Sequence, residues 1–372
     1  MLSYWEKESF IAYDFIIVGG GIVGFSTALS LKEKYPKASV LVLEAGLLPS
    51  GASTKNAGFA CVGSLSEIVE DLKHHTEDEV VQIVRLRNEG LQLLRKRLGE
   101  NRIQYEATGS NELVFPHEEH LLNELPKVNQ ILGPALGENI FKENPKGIQK
   151  HQLSSSISTL IHNRAEGSIH TGEMMKQLIF KAQMQGVAYK TNSKVSQVIE
   201  EVNQVVVKIE NEGIHLKARK VCICTNAFTK TLLPDLDLQP GRGQVLITHP
   251  IKDLQLRGIF HFDQGYYYFR EINGRVLLGG GRNIDFDTEQ TTIQKLNTKI
   301  QADLENKLKE IIIPNHSFEI DMRWTGIMAF GKQKKPIIKD ISDNIIAGVR
   351  LGGMGVAIGS KLGDLLADKL EL

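Results

Sequence analysis

The chain has 372 residues, 41% hydrophobic and 24% charged, and its 44 Lys and Arg balance 44 Asp and Glu. That balance gives no basic field for a nucleic acid or an acidic membrane surface, and three cysteines (Cys61, Cys222, Cys224) are too few to staple a chain of this size. The N-terminal MLSYWEKESFIAYD lacks the basic-then-apolar order of a signal peptide, and no run of about 18 apolar residues marks a membrane span, so a cytoplasmic protein is expected.

The first periodic unit runs from Asp14 to Glu44. Ile16–Val18 is a β-branched run that suits a buried parallel strand. Gly19, Gly21 and Gly24 follow in the G-x-G-x-x-G order. The first serves a tight turn, the second a close backbone approach to a pyrophosphate, and the third the packing of helix on strand. Ile22 and Val23 open that helix, Tyr35-Pro36-Lys37 closes it, and Val40–Leu43 is the second strand. Glu44 stands 20 residues after Gly24, where a carboxylate can accept both ribose hydroxyls of an adenosine. The next stretch, AGLLPSGASTKNAGFACVGS, has no helical period and reads as a long small-residue loop. Ser53, Thr54 and Asn56 offer it side-chain hydrogen bonds.

Leu65 to about Gly99 carries a helical period. His74 and His75 are adjacent there, point apart, and are poor joint metal ligands. Ser168 to Gly186 reads as one helix with Thr171 as N-cap and Glu173 in its first turn. Val187–Lys190, Lys194–Val198, Val205–Ile209, His215–Ala218 and Val221–Cys224 read as short strands. Cys222 and Cys224 alternate, so both thiols face one side; without a second pair they read as buried small residues, and no metal site is expected.

Gln244–Thr248, Tyr266–Arg270 and Arg275–Leu278 read as an antiparallel sheet, with Asn273-Gly274 as the hairpin turn. Tyr267 faces opposite to Tyr266 and Tyr268. Thr291–Ile311 reads as a helix. Pro336–Ile338 and Asn344–Val349 return to strand, and GVRLGGMGVAIGS opens a last helix whose N-terminal amides suit an anionic ligand edge.

The whole chain resembles the D-amino-acid-oxidase-like (DAO) family of FAD-dependent oxidoreductases. Five landmarks fall in family order: Asp14–Glu44, Gly51–Gly58, Ser168–Ala227, Tyr266–Gly281 and GGMGVAIGS. SYWE, CTNAF, GRGQVLIT and LLGGGR resemble its gamma-glutamylputrescine oxidoreductase, glycine oxidase and sarcosine oxidase group most. The resemblance implies an α/β fold: a Rossmann-type FAD-binding domain (1–64, 146–230 and 331–372) interleaved with a largely antiparallel-sheet substrate domain (65–145 and 231–330). It places adenosine on Gly19, Gly21, Ile22, Val23, Gly24, Glu44 and Ala45, and the flavin ring near Ser53, Thr54, Lys55, Asn56, Ala57 and Gly58. It matches Val195 to an adenine contact, Thr225, Asn226 and Ala227 to a loop near the cofactor, and Gly353, Met354, Gly355 and Val356 to amides at the N1/O2 edge. The Cys and His that carry flavin covalently in some members are absent, which implies non-covalent FAD. Leu277 stands where sarcosine oxidase has an oxygen-activating Lys, and Met328 or Ala329 where glycine oxidase has a carboxylate-binding Arg. Arg350, Arg270 or Arg323 could substitute for that Arg.

The implied reaction is oxidation of a C–N bond in a small amine or amino acid, with oxygen or another electron acceptor. Tyr267, Tyr268 and Arg270 are expected on the substrate side. Oxidation of a 2-hydroxy acid, with His261 as base, is the alternative within the enzyme class. A non-catalytic flavin subunit of a heteromeric amine dehydrogenase is the alternative outside it.

Overall fold

The computed structural model describes residues 1–372. Its first sheet follows from the β-branched runs. Ala12–Val18 lies between His215–Ile223 and Val40–Leu43, parallel to both. Ala188–Lys190 extends one edge in parallel, and Ile345–Val349 with antiparallel Ile337–Asp340 extends the other. Ile16, Ile17, Leu41 and Val42 are fully buried, as strands covered on both faces require. Helices Ile22–Lys34 and Gly355–Lys369 cover one face and approach closely through glycines. A Cβ on Gly363 would meet the Ser26 Cβ at 2.6 Å. The hairpin Val195–Glu201/Gln204–Ile209 joins the His215–Ile223 strand.

The second sheet has eight strands. In order they are Ile320–Phe330, Gln239–Thr248, Arg275–Gly280, Tyr267–Ile272, Ile259–Phe262, Ser110–Val114, Thr159–Asn163 and Phe141–Glu143. All pairings are antiparallel except Ile259–Phe262 with Ser110–Val114. Asn273 and Gly274 both have positive φ, 51° and 75°, which a two-residue hairpin of this hand requires. Helix Thr298–Lys307 packs beneath one face on Leu246, Phe269 and Leu278.

Several expectations are corrected. The helical period over 65–99 resolves into two helices, Leu65–His74 and Glu77–Leu98, because Thr76 and Glu79 form a capping box that starts the second. His74 and His75 pair separately with Glu70 and Glu79. His170, not Thr171, caps Thr171–Met184, its Nδ1 accepting from the Glu173 amide. The loop after Glu44 contains a helical turn, Ala52–Lys55. His215–Ala218 and Val221–Cys224 are one strand, antiparallel to Gln204–Ile209 at its start and parallel to Ala12–Val18. The 291–311 helix begins only at Thr298, where the Asn297 side chain caps it, and ends in a π-turn at Leu308–Ile312. The 11-residue strand Ile320–Phe330 was not anticipated.

Two segments depart from the expected domain division. Thr159–Asn163 belongs to the second sheet, although it falls within 146–230. Glu77–Leu98 packs on the last helix, although it falls within 65–145: a Cβ on Gly90 would lie 2.0 Å from the Ala357 carbonyl oxygen.

Candidate active site

The dinucleotide turn is built from close backbone contacts. Gly19 has φ +114°, and a Cβ there would lie 2.7 Å from the Cys224 carbonyl oxygen. A Cβ on Gly24 would lie 1.9 Å from the Gly19 oxygen, so strand and helix meet only through glycine. Helix Ile22–Lys34 has no side-chain cap and no acidic residue in its first turn. Its positive end therefore faces no fixed negative charge. Ser53 Oγ accepts from the Ile22 amide at 3.0 Å, tying the 52–58 segment to this turn.

Glu44 is placed by the Gly20 and Gly46 amides, at 3.0 and 3.1 Å. Burial raises its pKa, and those amides oppose the rise. Ala45 follows it directly. Val195 opens its strand close by, since the Ser193 amide donates to the Glu44 carbonyl. Tyr189, which the sequence reading missed, crosses the same place: its hydroxyl is buried without a partner, and its ring lies 3.3 Å from a Cβ built on Gly20. This glycine turn, bare helix end and amide-held carboxylate are the donor set and space that an adenosine diphosphate moiety needs.

Thr54 closes the 51–54 turn through the Pro49 carbonyl. The Asn56 amide group donates to the Ser53 carbonyl, while its Oδ1 accepts from the Gly58 amide and the Thr171 hydroxyl. Lys55 bonds Gln294 through its side chain and accepts from the Trp324 indole through its carbonyl. Ala57 packs with Val245, Ile247 and Leu277 of the second sheet. Segment 52–58 is thus clasped between the two sheets.

Directly opposed residues share a face, so register settles which side chains meet that segment. One row runs Glu112, His261, Tyr268, Gly279, Val245, Trp324. The Tyr268 ring lies across Gly279, and its hydroxyl comes 3.8 Å from a Cβ on Gly243. Burial raises the Tyr268 pKa to about 12. His261 is buried, and neither ring nitrogen has a partner. Burial lowers its pKa to about 4 and raises that of its neighbour Glu112 to about 7.

Tyr267 is on the other face. It stacks on Phe262 at 4.8 Å and donates to Asp303 at 2.7 Å, so the expectation of a substrate-facing Tyr267 is not met. Arg270 is on the right face, but its Nη1 donates to the Gly58 and Ile169 carbonyls. It holds the 52–58 segment. Arg350 is bound to Asp237 and the Lys335 carbonyl, and Arg323 to Gln301 and Glu305.

The last helix brings the third edge. Gly352 and Gly353 have positive φ, and helix Gly355–Lys369, entered through Met354 and with Val356 in its first turn, has no side-chain cap or early acid. Met328 Sδ lies 3.6 Å from a Cβ on Gly353. Asn226 Oδ1 accepts from the Arg350 amide, Thr225 lies against Gly19, and Ala227 packs on Ile327 and Ala329. Cys222 and Cys224 lie with sulfurs 3.5 Å apart and are buried and free. No group of three or more His, Cys, Asp or Glu is placed to hold a metal, and no helix is long and apolar enough to cross a membrane.

A family model described as DAO, FAD dependent oxidoreductase, matches residues 14–369. The chain is 25% identical over 301 residues to an L-2-hydroxyglutarate dehydrogenase of Escherichia coli, covering 74% of this chain but only 65% of that relative. It is 24% identical over 378 residues to the gamma-glutamylputrescine oxidoreductase of Escherichia coli, covering 97% of this chain and 84% of that one. Glycine oxidase from Geobacillus kaustophilus shares the fold, with a TM-score of 0.78 at 18% identity over 97% of this chain and 95% of that one.

Proposed function

We propose, for a chain that belongs to the DAO family of FAD-dependent oxidoreductases, oxidation of a C–N bond in a small amine or amino acid. Gly19–Gly24 and Glu44 would hold the adenosine diphosphate moiety, segment 52–58 the ring, and the Gly353–Val356 amides its pyrimidine edge. FAD, when bound, would supply the acceptor for one hydride, with its two electrons, from the carbon bearing nitrogen.

The observation that carries the reading is the floor of the site. Tyr268, kept protonated, and the Met328 side chain flank Gly243, and Leu277 packs further along the same face with Ala57, Val245 and Ile247; no carboxylate is among them. A neutral amine needs no base there. Its nitrogen lone pair forms the C=N bond as the hydride leaves, and water then gives the carbonyl and the free amine. Tyr268 would orient the substrate, and Leu277 and Trp324 would exclude water.

A second reading, oxidation of a 2-hydroxy acid, draws on His261, whose neutral ring nitrogens are unpaired one strand from Tyr268. An alcohol must lose its hydroxyl proton to such a base.

Anaerobic flavin absorbance tests both readings, with glycine, sarcosine, D- and L-amino acids, proline, gamma-glutamyl amines and 2-hydroxy acids added in turn. Bleaching by an amine class, faster as pH rises through the amine's titration, is the expected result. Bleaching by hydroxy acids alone would replace the reading with the second. No bleaching by any donor would move the weight to a flavin subunit that needs a partner.

A further inference from the structure

One buried donor beside the dinucleotide turn has no use within the protein. Tyr189 lies on strand Ala188–Lys190, directly opposite Val42. Alternation puts Glu44, two residues beyond Val42, on the same face. The Tyr189 ring packs edge-on against Phe25 of helix Ile22–Lys34, with ring centres 5.0 Å apart. Its hydroxyl is buried and has no partner. Burial and the nearby Glu44 charge push its pKa up to about 12, so it stays a donor. An unpaired buried hydroxyl is a cost to the folded chain, and a phenyl ring would fill the same space without it.

Three residues converge at this point. Gly20 stands at the variable position of G-x-G-x-x-G, yet a Cβ there would lie 3.0 Å from both the Cβ and Oε2 of Glu44 and 3.3 Å from the Tyr189 ring. Glycine suits even the variable position, because a carboxylate and a phenol close on it from two sides. The Gly20 amide holds Glu44 Oε2 at 3.0 Å, and the Gly46 amide holds Oε1 at 3.1 Å. Each carboxylate oxygen keeps a lone pair for a ribose hydroxyl. The Tyr189 phenol is a further donor beside that carboxylate, and it is unspent.

We propose that Tyr189 is a binding determinant for the adenosine half of the cofactor, its hydroxyl joining the hydrogen bonds that Glu44 makes with the ribose. This rests on the assignment of Gly19–Gly24 and Glu44 to the adenosine diphosphate moiety. No group of the protein takes this donor, and a ribose brings hydroxyl oxygens that can. The effect is confined to the adenosine end, since neither segment 52–58 nor residues 353–356 bond the Tyr189 hydroxyl.

The test uses the full chain stripped of flavin. Wild type and Tyr189→Phe are titrated calorimetrically with FAD, ADP and FMN. ADP carries only the adenosine end, and FMN only the flavin end. Tyr189→Phe should weaken FAD and ADP by one common factor, about five- to tenfold, and leave FMN unchanged. Two further probes, 2′-deoxy-ADP and 3′-deoxy-ADP, each lack one ribose hydroxyl. With one of them the variant should bind as tightly as wild type, because the partner of the phenol is already gone. Melting temperature separates this from a structural role. The stripped variant should melt no lower than stripped wild type, while its rise on adding ADP should be smaller. An unchanged ADP constant would overturn the proposal. So would a parallel loss of ADP and FMN, or an equal loss with both deoxy probes. Wild type that binds FMN but not ADP would sink the adenosine assignment itself. If the stripped chain does not stay folded, the rate of FAD release from holoprotein decides: faster release from Tyr189→Phe is expected, and equal rates would overturn the proposal.

Discussion

The dinucleotide turn and the glycines Gly241, Gly243 and Gly279 of the second sheet both depend on the missing Cβ, yet they use it differently. At Gly19–Gly24 glycine removes steric conflict within one local unit of strand, turn and helix. At Gly241, Gly243 and Gly279 it removes side chains from one face of a sheet, and the space is then used by Phe330, Met328 and Tyr268 from other strands. The first region is set by neighbours in sequence, the second by register. Mutations should therefore fail differently in the two.

The largest effect belongs to the turn. Gly24→Val adds a branched side chain whose Cβ alone would sit 1.9 Å from the Gly19 oxygen. The expected outcome is loss of bound FAD by about tenfold or more, read as flavin absorbance per protein. Gly51→Ala, with nothing within 4 Å of the new Cβ, should retain full cofactor. Equal retention by both variants would show that the turn is not set by backbone contact.

Next comes the buried His261 on the sheet. Its folded pKa of about 4 lies below its ordinary 6.5, so the folded state binds fewer protons between these values. Stability from His261 is constant above pH 6.5 and is lost as pH falls toward 4, by roughly 3 kcal/mol in full. Glu112 and Glu166, both raised to about 7 by burial, act in the opposite sense: the folded state keeps their protons, and stability falls as pH rises through 4.5 to 7. His261→Leu removes only the first contribution. Denaturant titrations should show the variant gaining on the wild type by roughly 2–3 kcal/mol between pH 7 and pH 4.5. A constant difference would mean that His261 is solvated or paired in solution.

The same contrast explains what the sequence disclosed. Gly19, Gly21, Gly24 and Glu44 are read within 31 residues, and each is placed by a contact inside that span or with Cys224 and Ser53 nearby in the fold. The alternation of Tyr266–Tyr268 separated the faces of that strand, but not which face met the 52–58 segment. That depends on pairing with Ile259–Phe262 and Arg275–Gly280, and it assigned Tyr267 to the core. Arg270 and Arg350 were legible as cations but not as occupied ones, because their acceptors, backbone carbonyls and for Arg350 also the Asp237 carboxylate, are distant in sequence.

Adjacent tyrosines sharpen the role of register. Tyr268→Phe keeps the ring over Gly279 and deletes the hydroxyl beside Gly243. Substrate affinity should fall about tenfold with little change in melting temperature. Tyr267→Phe deletes the 2.7 Å bond to Asp303 beneath the sheet. It should cost about 1 kcal/mol of stability and leave substrate affinity unchanged. The reverse pattern would put the substrate on the other face.

The smallest effect tests the tie between the two regions. Ser53 Oγ is the acceptor for the Ile22 amide, the first of the helix, while its own segment is held to the second sheet through Lys55 and Trp324. Ser53→Ala frees that amide to solvent or to a cofactor oxygen, so the net loss should be about 0.5–1 kcal/mol, or roughly two- to fivefold in the FAD dissociation constant. Substrate affinity at saturating FAD should not change, because no contact of Tyr268 passes through Ser53. A loss of substrate affinity in parallel with FAD would mean that the turn and the sheet face move as one body, and the division between a locally built cofactor site and a register-built substrate site would fall.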